Sequence, residues 1–244
     1  MSKEKAMNIE VVQLDVCSEE SIQGVVNHLT AKGIGKDIFL YALVNNAGVN
    51  WKTGQDNPET MMATNFYGPK NVTDALKGML NPREGRIVNV SSGAASMWLR
   101  DQDDATKELF TNPHTTWEDL NGAVKANVAA KNFKKGHLGH SFMGYGLSKA
   151  ALTALTVMYA QLLPGLTITS LSPGFVDTNM TAGYGAKLSP EEGCKSTLKC
   201  LFGDVESGFY YGSDGLRSPL TISRDPGAPE YQGEDNPDPA KYNV

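Results

Sequence analysis

The chain has 244 residues, with 22 Lys and Arg scattered among 27 Asp and Glu for a formal net charge of −5. Phosphate contacts need a basic surface, so this balance excludes a nucleic-acid binder. Apolar residues at 40% and charged residues at 20% allow a normal buried core and exclude global disorder.

Ile9–Leu14 is a short β-branched run that reads as a strand ending at Asp15. Ser18 offers an N-cap to a helix running through about Leu29, with Ile22, Val25, Val26 and Leu29 on one face. Tyr41–Val44 is a second strand, punctuated by Asn45-Asn46-Ala47-Gly48. A longer helix is predicted from about Pro58 to Met79, a strand over Arg86–Val90, an amphipathic helix over 147–162 and a strand over Leu166–Leu171. Strands alternating with helices of this length mean βαβ units, hence an α/β fold with a parallel sheet covered on both faces. From about Gly93 to Gly144 the pattern loosens into an insertion with one helical segment, about Thr116 to Phe133. After Leu220 the chain turns Pro- and acid-rich. The expectation is one domain over 1–224 and an acidic, poorly ordered tail over 225–244.

Cys17, Cys194 and Cys200 form no C-x-x-C pair, which suggests neither a disulfide framework nor a zinc site. His137 and His140 sit in a glycine-rich stretch that argues against a preformed metal site, and no metal is expected. The longest apolar stretch, Ala150–Leu163, is broken by Thr153, Thr156 and Gln161 and ended by Pro164. It is too short to span a bilayer. No membrane partner is expected, and a reducing compartment, the cytoplasm, is the default.

In open parallel sheets ligands bind at the carboxyl ends of the strands. Asp15, Asn45–Gly48, Ser91, Ser92, Pro173 and Gly174 fall there, each explicable alone as turn chemistry. Tyr145 and Lys149 lie four apart on a helix and so share a face. A nearby cation favours phenolate and lowers a tyrosine pKa, which would fit the pair for general acid/base work on a carbonyl or alcohol oxygen.

Six motifs then occur in a telling order: D-V at 15–16, N-N-A-G at 45–48, T-N-F-Y-G at 64–68, R-I-V-N-V-S-S at 86–92, Y-x-x-x-K at 145–149 and S-P-G-F-V-D-T at 172–178. Over about residues 9–222 the chain resembles the short-chain dehydrogenase/reductase family. The long spacer before Tyr145 and S-P-E-E-G at 189–193 resemble its carbonyl-reductase branch. The resemblance implies a Rossmann-like doubly wound sheet and NADPH-dependent reduction of an aldehyde, ketone or quinone, with NADH not excluded. Tyr145 would protonate the substrate oxygen, Lys149 would lower the Tyr145 pKa and hold the nicotinamide ribose, and Ser92 would bind the substrate oxygen. Asn65 would anchor a proton-relaying water. Asp15 and Val16 would touch the adenine, Asn45, Asn46, Ala47 and Gly48 would pack along the cofactor, and Pro173, Gly174, Val176 and Thr178 would meet the nicotinamide. Residues 179–190 would form a substrate lid, and the insertion would favour a monomer.

The chain departs from the family at its start. The usual strand, T-G-x-x-x-G-x-G loop, helix and second strand are not in the sequence, so an N-terminally truncated sheet is expected. That loop would present backbone N–H groups to a pyrophosphate. Gly33-Ile34-Gly35 mimics its tail but follows a helix and precedes a strand, the reverse context, and reads as a helix C-cap and turn. Two alternatives therefore stay open beside the enzyme reading: a cofactor-deficient, non-catalytic form, and an incomplete gene model of such an enzyme.

Overall fold

A computed structural model describes residues 9–54, 57–130, 139–235 and 237–243. Its sheet has four parallel strands in the order β1 (Ala42–Asn45), β2 (Arg86–Val90), β3 (Thr167–Leu171) and β4 (Tyr210–Tyr211). Parallel neighbours need crossovers, and helices supply them on both faces. On one face lie α3 (Gly68–Leu76) and the long α7 (Gly139–Leu162); on the other lies α9 (Lys195–Phe202). The larger core joins Ile87 and Ile168 to Leu147, Ala151, Leu155 and Met158 of α7. Val88 and Leu171 point the opposite way, onto Cys200 of α9. The parallel sheet covered on both faces that the alternation predicts, and the Rossmann-like doubly wound fold that the resemblance implies, are what the chain adopts.

Four local differences have physical causes. Ile9–Leu14 forms no strand: Ile9 is 76% and Val11 92% exposed, because among the described residues no segment lies beside it to complete a ladder. The predicted 58–79 helix is instead α2 (Pro58–Met62), a π-helical turn over Ala63–Tyr67, α3 and a closing 3₁₀ turn. The insertion holds not one helix but three: α4 (Gly93–Arg100), α5 (Asp104–Thr111) and α6 (Trp117–Ala129). Ser92, Asp103 and Thr116 cap them, each side chain accepting a backbone N–H of the first turn. Trp98 and Trp117 pin these helices to the helical layer. Trp98 packs on Phe110 at 5.2 Å and Trp117 stacks on Phe66 at 5.5 Å.

The tail, expected to be poorly ordered, folds back. Tyr242, in the short helix α10 (Pro239–Tyr242), is fully buried, and its carbonyl accepts the Asp225 N–H. The start of α1 (Glu19–Ala31) is capped by Ser18, as its sequence predicts. At its end Gly33 takes φ 80°, with Gly33 N–H bonded to the Thr30 carbonyl and Ile34 N–H to the Leu29 carbonyl. This is a Schellman cap, so Gly33-Ile34-Gly35 is turn chemistry. No helix is long and apolar enough to cross a membrane, and no cluster of three metal-ligating side chains occurs, among the described residues. His137 and the His140 side chain lie outside the described residues.

Candidate active site

The carboxyl ends of β1, β2 and β3 open onto a cavity of about 600 Å³. Its walls include Asn46, Ala47 and Gly48 after β1, Ser91 and Ser92 after β2, and Pro173, Gly174, Val176 and Thr178 after β3. Tyr145 and Lys149 enter it from α7. The sheet register explains the convergence, since Asn45 pairs with Asn89 and Val90 with Leu171, so the three strands end together.

The two serines after β2 separate by direction. Ser91 is buried, and its hydroxyl bonds the Lys149 carbonyl at 3.0 Å and Thr153 Oγ1 at 2.8 Å, which ties the strand to α7. Ser92 faces the cavity as the N-cap of α4, on the same cavity as Tyr145. Burial raises the Tyr145 pKa above its ordinary value, and the nearby Ser92 hydroxyl pulls it only partly back.

Lys149 is not among the groups that shift the Tyr145 pKa. Lys149 Nζ stands 5.8 Å from the Tyr145 ring centroid and donates to the Val90 carbonyl at 2.8 Å. Desolvation lowers the lysine's own pKa to about 8. A phenol with a raised pKa keeps its proton at neutral pH and can give it away, which suits an acid rather than a standing base.

Asn65 occupies the π-helical turn, fully buried. Its amide donates to the Val49 carbonyl at 2.8 Å and to Ser148 Oγ at 2.9 Å, while its oxygen accepts the Val49 N–H at 2.8 Å. It therefore clamps the loop after Gly48 to α7. Gly48 leaves no room: a Cβ there would lie 3.2 Å from Asn65 Oδ1 and 3.4 Å from Lys149 Nζ. Gly48→Ala is expected to push both groups back at a cost of about 1–3 kcal/mol, measurable by denaturant unfolding.

Asn45 is turned away from the cavity. Its amide reaches Asn89 at 2.8 Å and Thr73 at 3.1 Å, and Asn89 in turn reaches Thr156 at 2.8 Å, a polar ladder along one face of the sheet from α3 to α7. Asp15 and Val16 are not on the cavity wall either. Asp15 closes a turn onto the Cys17 N–H at 2.9 Å, and Val16 packs against Gly68 at the start of α3.

The family resemblance pointed to the 179–190 side of the roof but not to the loop that meets it. Trp51 lies edge-on to Tyr145 at 5.8 Å, and its Nε1–H donates to the Tyr184 hydroxyl at 3.0 Å. Asn50 reaches the Met180 carbonyl at 3.0 Å and Lys52 the Ala182 carbonyl at 3.1 Å, so the loop after β1 is strapped to segment 179–190. These are contacts between segments 130 residues apart, and no local pattern carries them.

The walls bring a glycine with no room for a side chain beside a buried ammonium, a donor set that suits a nucleotide ribose. Among the described residues lining the cavity, none forms a glycine-rich helix N-terminus of the kind that holds a pyrophosphate.

A parallel, doubly wound sheet with a tyrosine, a lysine and a serine at its strand ends defines an oxidoreductase of the Rossmann-like class. The comparisons narrow it. The description "short chain dehydrogenase" matches residues 1–102. Carbonyl reductase [NADPH] 1 of Homo sapiens is 32% identical over 200 residues, covering 76% of this chain and 69% of the relative. The Mus musculus protein of the same name matches equally well. Among solved structures, salutaridine reductase from Papaver somniferum has a TM-score of 0.66 at 24% identity, covering 82% of this chain and 80% of that one. An NADPH-bound carbonyl reductase from chicken fatty liver has a TM-score of 0.59 at 22% identity, covering 85% and 75%. The chain belongs to the short-chain dehydrogenase/reductase family and, within it, to the carbonyl-reductase-like branch.

Proposed function

We propose that the chain reduces a small-molecule carbonyl compound, an aldehyde, ketone or quinone, to the alcohol using NADPH. The observation that carries this is the convergence of Ser92, Tyr145 and Lys149 on one cavity whose walls include Asn46, Gly48, Pro173 and Thr178. When bound, the nicotinamide supplies hydride. Ser92 and Tyr145 both direct hydroxyls to the substrate oxygen, and Tyr145 gives its proton as charge develops there. Lys149, held by Val90, places its ammonium at the ribose and favours negative charge nearby. Asn65 positions the loop that carries Gly48, and Trp51 with Tyr184 keeps water from the phenol. Asp15 and Val16 remain candidates for the adenine end and Asn45 for holding the strand end in place. NADPH rather than NADH follows the relatives' names. The helices of the insertion pack along α7, which supports a monomer, and the cytoplasm is the proposed compartment.

The test is an NADPH and NADH titration of the purified chain, followed by turnover of a panel of carbonyl compounds across pH. Lys149 carries its charge below its pKa of about 8 and loses it above. The expected profile of kcat/KM is therefore flat near neutrality and falls as pH rises through about 8. A rate that climbs through that region would sink the assignment of Lys149. A second reading, a non-catalytic form, is favoured by the lack of a pyrophosphate-holding turn among the described lining residues. A folded chain that binds neither nucleotide would select it.

A further inference from the structure

Beyond Ser92 lies a second cavity of about 460 Å³, within the usual range of roughly 300–1,000 Å³ for small-molecule sites. Ser92, Gly174 and Phe175 belong to both cavities, so this chamber adjoins the point where the carbonyl oxygen is proposed to sit. Met97, Phe175 and Leu188 give the chamber an apolar side. Arg224, Asp225 and Pro226, where the tail begins, supply another wall.

That wall belongs to no strand or helix, and contacts made farther along the tail hold it. The Arg224 side chain, closed to solvent, pairs with Asp214 and donates to the carbonyls of Ala228 and Pro229 at 2.9 Å each. The Asp225 N–H donates to the Tyr242 carbonyl at 2.8 Å. Tyr242 is fully buried, and its hydroxyl donates to the Glu234 carboxylate at 3.0 Å. Between them, the Tyr231 N–H donates to the Arg217 carbonyl at 3.1 Å, and the Arg217 guanidinium lies 4.9 Å from the Tyr231 ring. Chain ends stay ordered only where they are tied down, so the wall depends on these two tyrosines.

The charges on the wall limit what enters. Arg224 is the one basic residue among the described lining residues, and Asp214 already meets its charge. Asp225 brings a carboxylate to the same wall. An anionic substrate body would therefore meet like charge, whereas an uncharged one matches the apolar side.

We propose that the folded-back tail determines substrate specificity: its wall completes a chamber that takes an uncharged, apolar substrate body. Tyr242 and Tyr231 act through that wall as positioning residues. The orientation, with the carbonyl at Ser92, rests on the carbonyl-reduction reading. The probes are acetophenone, para-butylacetophenone and 3-(4-acetylphenyl)propanoate. Each is titrated calorimetrically into the full chain with and without NADPH, and kcat/KM is measured in parallel.

A buried methylene strengthens binding roughly fourfold, so the butyl probe should bind at least about tenfold more tightly than acetophenone. The carboxylate probe should gain nothing. Tyr242→Ala and, independently, Tyr231→Ala should erase the butyl preference, and Tyr242→Phe, which keeps the buried ring, should retain it. Hydrogen exchange follows the tail in the same samples. The Asp225 and Tyr231 amides should lose protection in both Ala variants while the Ser91 amide, bonded to the Leu171 carbonyl, keeps its own. Equal affinities for the neutral probes, tighter binding of the carboxylate, or a butyl preference that survives release of the tail overturns the proposal. Tail amides that stay protected in both Ala variants overturn it too. Discrimination in binding without turnover would support the chamber while sinking carbonyl reduction. Turnover without discrimination would do the reverse.

Discussion

Tyr145→Phe is expected to lower kcat/KM for carbonyl reduction by about 10²–10⁴-fold while leaving the chain folded and able to bind NADPH. The substitution removes one oxygen and keeps the ring, so the edge contact with Trp51 at 5.8 Å survives. What is lost is the proton and one of the two hydroxyls at the substrate oxygen. The fold-change corresponds to about 3–5 kcal/mol of barrier, more than a single neutral hydrogen bond contributes to stability. Burial holds the Tyr145 proton above its ordinary pKa, so at neutral pH the group is a ready donor, and Phe offers no substitute. Steady-state kinetics with a nucleotide-binding control decide it. A variant that keeps its rate would show that the proton comes from elsewhere, and Ser92 would be the next suspect.

The contrast with Lys149 explains what the sequence could carry. Spacing put Tyr145 and Lys149 on one face of a helix, and that is where they are. Spacing could not reveal that the ammonium would spend a hydrogen bond on the Val90 carbonyl and be desolvated itself. The sheet was legible because β-branched runs bounded by Asn, Gly and Pro are local signals, and Ala42–Asn45, Arg86–Val90 and Thr167–Leu171 all carried them. Ile9–Leu14 carried the same signal and failed. A strand is defined by its neighbour, and the chain offers none beside it among the described residues. Tyr210–Tyr211 was missed for the opposite reason: two residues give no period to read, and pairing with Ser170 and Leu171 makes the strand.

The site was legible at the strand ends and, through the family resemblance, in the 179–190 segment. Trp51 joins them only through tertiary packing. Asn65 was found by motif, but its clamp on Val49 depends on a π-helical turn that no residue type announces.

The insertion looked like loose sequence, yet it sets the distance between two of the proposed catalytic groups. Ser92 begins α4 and Tyr145 sits on α7, so the packing of these helices fixes where the two hydroxyls meet. Trp98 is the wedge between them. It is fully buried, it contacts Phe110, and a Cβ on Gly146 would come within 3.0 Å of its own Cβ. Trp98→Ala would leave a large cavity in the main core, and such truncations cost about 3–5 kcal/mol. One term opposes this. The Trp98 indole N–H is buried without a partner among the described residues, and removing an unsatisfied donor returns about 1–3 kcal/mol. The balance predicts a net loss of about 2 kcal/mol for Ala. It also predicts a much smaller loss for Trp98→Phe, which keeps most of the ring volume and deletes the orphan donor. Denaturant unfolding of the two variants tests the ordering. The Ala variant should lose kcat as well, since α4 can then shift Ser92 away from Tyr145, whereas Phe should hold them in register. A Phe variant less stable than the Ala variant would mean that the indole nitrogen has a partner and that α4 is held by that bond rather than by packing.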